Sequence, residues 1–116
     1  MSHGMHRPEG MDQCIKDCLD CYQVCLETTS HCQHMGGKHA EPAHLTVLKD
    51  CGLLCQTAAN FMIRNSPNHK ELCRLTADLS QKCAEDCERV DSSDQMMKKC
   101  ADVCRKCADS CRQMAG

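Results

Sequence analysis

The stretch CIKDCLDCYQVC, residues 14–25, places cysteine at offsets of 0, 4, 7 and 11, and CADVCRKCADSC, residues 100–111, repeats this spacing. At about 100° per residue, these offsets put the four side chains of each stretch within one helical stripe about 60° wide. A half-buried strand would need a period of two, which neither stretch has. Both stretches are therefore predicted to be helices that present a line of thiols to one side.

The remaining cysteines also fall on helical stripes, and most of them belong to CxxxC pairs that span one helical turn. The soft thiols are the candidate metal ligands of this chain. They are Cys14, Cys18, Cys21, Cys25, Cys32, Cys51, Cys55, Cys73, Cys83, Cys87, Cys100, Cys104, Cys107 and Cys111.

Turn-forming residues divide the chain into four helical segments. The first is predicted to span about residues 8–35, because Gly36 and Gly37 follow it and glycine commonly ends a helix. The second is predicted to span about residues 42–65, since Pro42 suits the first turn of a helix.

The last two segments have their own start signals. Ser66 followed by Pro67 is typical of an N-cap and a first helical residue. Ser92 with Gln95 three residues later resembles a capping box. The predicted segments run to about Val90 and about Met114.

Connections this short place neighbouring helices antiparallel. The predicted fold is therefore all-α, an up-down-up-down four-helix bundle over residues 10–116. Residues 1–9 are expected to form a flexible N-terminal segment.

The composition supports an unusual core. Among 116 residues there is one Tyr, one Phe and no Trp, against 14 Cys and 8 Met. Cysteine, at about 12% of the chain, exceeds the level typical of disulfide scaffolds. The first ten residues contain no apolar run of the kind that a secretory signal requires, so we expect a reducing cytoplasm, where clustered cysteines favour metal over disulfides.

Membrane and nucleic-acid partners are not expected. No stretch approaches the ~18 consecutive apolar residues of a membrane span. The formal net charge is −2, and basic and acidic residues are mixed along the chain, so no basic stripe is present.

Three interpretations of the cysteine stripes involve no metal. Buried cysteines can simply pack as small hydrophobes, but Leu or Ala would fill fourteen such positions without a risk of oxidation. Thiols one helical turn apart have Cβ atoms ~5–6 Å apart, too far for a disulfide of ordinary geometry. Catalysis needs one activated, partly exposed thiol and not a buried line of them, so an enzyme is not expected.

Thiolates select Cu(I), Zn(II) or iron–sulfur clusters. Structural zinc and ferredoxin-type clusters typically use CxxC spacing, whereas CxxxC pairs on continuous helix suit the low coordination numbers of Cu(I). Copper and thiolate in a one-to-one ratio are also neutral, which avoids the cost of burying charge. Multiple Cu(I) ions are the expected cargo, and a general thiolate buffer for zinc and an iron–sulfur electron carrier remain as alternatives.

These motifs resemble those of the bacterial copper storage proteins, which are Cys-lined four-helix bundles. The resemblance covers about residues 14–115, through CIKDCLDCYQVC, DCGLLC, the NSP before the third helix, CAEDC and CADVCRKCADSCRQMAG. It is strongest to the cytosolic branch of the family. It implies Cu(I) storage or buffering, and often a homo-oligomer, a tetramer of bundles.

The chain departs from the fullest members of that family at five positions where they carry cysteine. The resemblance therefore implies that Cu(I) is bound by thiolates inside the bundle, but it does not give the number of Cu(I) ions. The five residues are Thr28, His44, Thr76, Ser80 and Met97.

Copper is predicted to enter at the end of the bundle where helices one and three finish and helices two and four begin. Thioether and imidazole ligands continue the thiol stripes outward at this end. They are Met35, His44 and Met97, with Met96, His34 and His39 close by. The opposite end carries Met11, Met62, Met114 and His69.

Overall fold

The structure, a computed structural model, describes residues 6–116. Its four helices are α1 (Met11–Met35), α2 (Pro42–Ile63), α3 (His69–Asp91) and α4 (Gln95–Ala115). A 3-10 turn over Gly37–Ala40, which the sequence did not predict, separates α1 from α2. Residues 6–116 contain no strand, and the predicted all-α fold is confirmed.

The first helix begins at Met11, three residues after the predicted start at Pro8. The C-terminal ends of the first two helices follow the predicted signals. Gly36 has φ of 71°, a conformation that disfavours a side chain, and its N–H donates to the Cys32 carbonyl at 3.1 Å. α2 begins at Pro42 and ends before Asn65, whose φ is 59° and whose N–H donates to the Met62 carbonyl at 2.9 Å.

The predicted start of α3 is wrong by two residues. Ser66 does not cap the helix, because its hydroxyl accepts the N–H of Asn68 at 3.1 Å and forms a turn of its own. Pro67 lies in that turn, and α3 begins at His69.

The predicted cap of α4 is also wrong by two residues. Ser92 has helical backbone angles, which do not suit an N-cap. Asp94 has an extended backbone instead, and its carboxylate accepts the N–H of Met97 at 3.0 Å. The negative charge of this cap also interacts favourably with the positive end of the helix dipole.

The helices form a ring in which each contacts its two neighbours, in the order α1, α2, α3, α4. Neighbours are antiparallel: Cys14 near the start of α1 lies beside Cys111 near the end of α4, and Cys32 lies beside Met97. The end at which α1 and α3 finish and α2 and α4 begin is called the His44 end below. The other is called the Met62 end.

Small side chains form most of the core between the helices. All fourteen cysteines and six alanines are buried, whereas Leu19, Leu26, Leu53 and Leu75 are 41%, 45%, 61% and 49% exposed. At Gly52 a Cβ atom would lie 3.3 Å from that of Cys25, so glycine permits the close approach of α2 to α1. The thiols therefore occupy the axis of the bundle.

The predicted flexible segment, residues 1–9, lies partly outside the described residues, which begin at residue 6. Within it, the Arg7 guanidinium donates to Asp12 at 2.9 Å and to the Ile63 carbonyl at 3.2 Å, joining the start of α1 to the end of α2. Across residues 6–116, none of the helices has both the length and the apolar character needed to cross a bilayer.

Candidate metal centre

All fourteen cysteines are buried, and none forms a disulfide. None exposes more than 1% of its surface. Every cysteine except Cys32 hydrogen-bonds to or lies beside at least one other thiol, and these thirteen residues are called the thiol column below. The predicted thiol stripes thus meet along one axis.

Two groups of four thiols occupy the middle of the column. Their Sγ atoms lie within 4.8 Å of one another, close enough to share an ion. Cys21 and Cys104 on α1 and α4 are 3.6 Å apart, and Cys100 and Cys104, one turn apart on α4, are 3.9 Å apart. The groups share two members, which makes them continuous. They are Cys21, Cys25, Cys51 and Cys104, and Cys25, Cys83, Cys100 and Cys104.

Groups of three thiols continue the column toward the Met62 end. Cys18 and Cys111 are 3.5 Å apart, and Cys14 and Cys111 are 3.7 Å apart. Adjacent groups again share residues, so no gap divides the column. The groups are Cys21, Cys55 and Cys107; Cys18, Cys107 and Cys111; and Cys14, Cys73 and Cys111.

Hydrogen bonds between the thiols of the column shift their pKa values in opposite directions. Hydrogen bonds with Cys100 and other neighbours, together with burial, raise the pKa of Cys104 well above its usual value. A hydrogen bond with Cys107 is the main cause that raises the pKa of Cys55. The pKa values of Cys51 and Cys100 are lowered, chiefly by their hydrogen bonds with Cys104. An incoming metal ion must therefore displace protons from the column.

One hydroxyl lies inside the column. The Ser80 Oγ atom is 3.6 Å from the Sγ of Cys51, 3.7 Å from that of Cys55 and 3.7 Å from that of Cys107. Thr76, one turn earlier on α3, instead donates to the Leu54 carbonyl at 3.4 Å. Ser80 is thus surrounded by thiols at a position where the resemblance implied a cysteine in other members.

At the His44 end, three different ligand types meet. His44 Nε2 lies 3.5 Å from Cys32 Sγ, and Met97 Sδ lies 3.4 Å from the same sulfur. On the other side of the ring, His44 Nδ1 lies 2.7 Å from Asp86 Oδ2. All three ligands are buried, with exposures of 0%, 0% and 1% for Cys32, His44 and Met97. Asp86 was not identified from the sequence, where it is one of many acidic residues on α3.

The electrostatics of this cluster favour a bound cation. Burial raises the pKa of Cys32 to about 11, with added contributions from the charges of Asp94 and Cys100. Burial would also raise the pKa of Asp86, but hydrogen bonds from His44 and Arg89 outweigh it and the pKa is lowered. Asp86 is therefore ionised and orients the imidazole so that its other nitrogen faces the sulfur.

The other predicted access residues lie apart from this cluster. Met35 is 51% exposed and His34 is exposed, both on the last turn of α1. Met96 is half-buried. His39 is buried, but its Nε2 lies 3.0 Å from Asp91 Oδ2, in a setting of nitrogen and oxygen ligands.

The Met62 end has a simpler arrangement. Met11 and Met62 are fully buried, and the Cys73 thiol lies 3.8 Å from Met62 Sδ. Met114 is half-buried beside Gly10. His69 Nδ1 lies 2.8 Å from the Ser66 carbonyl and is engaged in the α2–α3 turn. Within residues 6–116, no imidazole hydrogen-bonds to a thiol at this end.

Comparison with known proteins gives a consistent picture. The copper storage protein family matches residues 7–116. The uncharacterized cysteine-rich protein YhjQ of Bacillus subtilis (strain 168) is 31% identical over 80 residues, which are 69% of this chain and 74% of that protein.

Two solved structures share the fold and much of the sequence. The Nmul_A1745 protein from Nitrosospira multiformis has a TM-score of 0.86 and 38% identity, covering 92% of this chain and 95% of that one. The Cu(I)-bound copper storage protein BsCsp3 has a TM-score of 0.86 and 30% identity, covering 93% of this chain and 100% of that one. With a thiol-lined four-helix bundle and a family match over residues 7–116, this chain belongs to the copper storage protein family.

Proposed function

We propose that this chain stores Cu(I) along the axis of its bundle, with the fourteen cysteine thiolates as ligands. The continuity of the thiol column supports this most directly, because an ion held by one group has the next group within reach. Cys32, which stands apart from the column, has His44 and Met97 as soft or borderline partners. A single site would not need a column that runs through the whole bundle.

Charge balance indicates the capacity. Thiolates buried without cations would be very costly, while a one-to-one ratio of Cu(I) to thiolate is neutral if each sulfur bridges two ions. We therefore expect on the order of 14 Cu(I) ions per chain, loaded as protons leave. Zinc at four thiolates per ion would leave a net negative core, so a general zinc buffer is the weaker candidate.

Copper access is proposed at the His44 end. Cys32 Sγ, His44 Nε2 and Met97 Sδ form a mixed site there, and imidazole and thioether hold Cu(I) less tightly than several thiolates do. Such a site suits transfer into and out of the column better than retention. Met35, Met96 and His34 are more exposed and are proposed to receive copper first, whereas His39 is buried against Asp91.

An anaerobic titration with Cu(I) against a competing chelator tests the storage proposal. The expected result is saturation near one Cu(I) per cysteine. Both the empty and the filled forms should remain helical. Saturation at half that ratio would contradict the bridged arrangement. Zinc bound in place of copper in protein purified from unsupplemented cells would favour the alternative.

Rates of loading and removal test the access proposal. The pair His44→Gln and Met97→Leu removes both weaker ligands at one end, and Met62→Leu with Met114→Leu is the matched pair at the other. Leucine replaces methionine at similar volume, so packing changes little. We expect the His44→Gln and Met97→Leu pair to slow copper exchange several-fold. It should reduce capacity by at most one ion, the one held at Cys32. Slower exchange in the second pair alone would move the access point to the Met62 end.

We propose a cytoplasmic protein with no catalytic role, in which residues 10–116 form the copper-holding unit.

We also propose that bundles associate into a homo-oligomer, a tetramer, through the exposed Leu19, Leu26 and Leu53 on α1 and α2. Light scattering of the wild type and of Leu26→Lys with Leu53→Lys tests this association.

A further inference from the structure

Four titratable side chains at the His44 end lie outside the thiol column and meet in one place. His31 is on α1, His39 is on the 3-10 turn, Asp91 ends α3, and Asp94 caps α4. His31 Nε2 lies 2.8 Å from Asp94 Oδ2, and His39 Nε2 lies 3.0 Å from Asp91 Oδ2 and 3.7 Å from Asp94 Oδ2. Two imidazole nitrogens thus face two carboxylate oxygens.

In each carboxylate, one oxygen accepts hydrogen bonds from the α3–α4 segment and the other faces an imidazole. Asp94 Oδ1 accepts the N–H of Met97, and Asp91 Oδ1 accepts both the N–H and the hydroxyl of Ser93. These bonds hold the α3–α4 turn and keep each Oδ2 directed at the imidazoles. The side chains of His39 and Asp94 are only 8% and 10% exposed. The group is therefore positioned by the backbone and partly shielded from water.

The chemistry of this group differs from that of the thiol column. Imidazole nitrogen and carboxylate oxygen are the ligands of borderline divalent cations, and two of each complete a tetrahedral zinc site. Cu(I) prefers sulfur, and none of the four side chains offers it. The rings of His31 and His39 make an edge-to-face contact, at 85° with centroids 6.3 Å apart. Lys38 Nζ, 4.0 Å from Asp91, is a nearby cation on an exposed side chain.

We propose that His31, His39, Asp91 and Asp94 form a second metal site, separate from the thiol column, that binds one borderline divalent cation, with Zn²⁺ as the expected ion. The ion takes the place of the protons between Nε2 of each imidazole and the facing carboxylate, and each displaced proton moves to Nδ1 of the same ring or leaves to water. It joins α1, the 3-10 turn and the α3–α4 turn at one point. The proposal does not depend on where copper enters the bundle.

Zinc binding is best measured on protein whose thiols are already saturated with Cu(I), by anaerobic equilibrium dialysis against Zn²⁺. The expected result is one Zn²⁺ per chain with copper fully retained. X-ray absorption at the zinc edge should show nitrogen and oxygen ligands at about 2.0–2.1 Å and no sulfur at about 2.3 Å.

Variants then assign the ligands. His31→Gln and His39→Gln should each weaken zinc binding by about tenfold or more. Asp94→Asn should do the same while keeping the cap of α4, since asparagine is also a good N-cap. His6→Gln, which changes an exposed histidine outside the group, should have no effect.

Three results would overturn the site. One is the absence of bound Zn²⁺ on the copper-saturated protein. Another is a zinc–sulfur distance, or copper released as zinc binds, which would place the ion in the thiol column. The third is binding that survives both His39→Gln and Asp94→Asn. Circular dichroism of each variant identifies a loss that comes from unfolding, and the wild-type absorption spectrum decides the question independently of the variants.

Discussion

His44 Nδ1 lies 2.7 Å from Asp86 Oδ2, and this contact between α2 and α3 determines which ring nitrogen faces Cys32. The Asp86 carboxylate is placed to accept a proton from Nδ1, which leaves Nε2 facing the Cys32 sulfur at 3.5 Å. A histidine oriented in this way by a carboxylate is a stronger metal ligand.

Replacing Asp86 should therefore weaken the mixed site without emptying the column. We expect Asp86→Asn to lower the affinity of the site at Cys32 by roughly tenfold and to change total capacity by less than about one ion. Chelator competition at low copper loading measures the first quantity and full titration the second. Asp78→Asn, an exposed residue on the same helix, is the control, and an equal effect there would remove the role assigned to Asp86.

A thiol at position 80 should add to the column. Ser80 Oγ already lies 3.6–3.7 Å from three cysteine sulfurs, and serine and cysteine are similar in size. Ser80→Cys is expected to raise capacity by about one Cu(I), since one more thiolate balances one more cation. Ser80→Ala should leave capacity unchanged. Equal capacity in all three proteins would show that position 80 does not reach the bound ions.

Cysteines should differ in how tightly they hold copper. Cys104 belongs to both groups of four thiols, whereas Cys73 lies in a group of three near the Met62 end. Charge balance limits the loss of capacity to about one ion in either variant, but Cys104→Ser is expected to lower the affinity for copper more than Cys73→Ser, because Cys104 has more thiol neighbours with which to share an ion. Both variants should remain helical by circular dichroism. Equal losses of affinity in chelator competition would indicate independent sites.

The empty protein should lose stability in alkaline solution. The pKa of Cys32 is about 11 in the fold, against an ordinary value of 9.0. Because the folded pKa is the higher one, its stabilising contribution is complete below about pH 9 and is lost as the pH rises through about 11. Urea unfolding of the reduced empty protein should show this decline.

Two comparisons accompany the alkaline experiment. Copper-loaded protein should not show the decline over the same interval, because its thiols are already deprotonated and bound to metal. Cys32→Ser should show a smaller decline than the wild type. An empty protein that is equally stable at both ends of the interval would contradict the raised pKa.

Helix should form before any metal binds. Protonated cysteine packs as a small hydrophobe, and the hydrogen bonds that cap α1 at Gly36 and α4 at Asp94 form without a metal ion. We expect the reduced empty protein to have a helical circular dichroism spectrum close to that of the loaded form. A coil that becomes helical on loading would instead indicate metal-driven folding.

Much of the bundle could be predicted from local signals. The spacing of Cys14, Cys18, Cys21 and Cys25 predicted the helix and its buried face, and Gly36 and Pro42 located the break between α1 and α2. The capping residues near Ser66 and Ser92 were misassigned, because several polar residues compete for the hydrogen bonds of one short turn. Backbone angles decide that competition, and they depend on how the next helix packs.

The sequence by itself determined that this chain is a helical bundle with soft ligands along its axis, since helical periodicity assigns each cysteine to a face without knowledge of its neighbours. The tertiary structure decided which thiols from different helices share a group, that Asp86 orients His44, and that His31 and His39 meet Asp91 and Asp94. Those contacts join residues up to 97 positions apart, and their distances depend on the register between helices. A one-dimensional pattern does not contain that register, because it results from the packing of complete helix surfaces against one another.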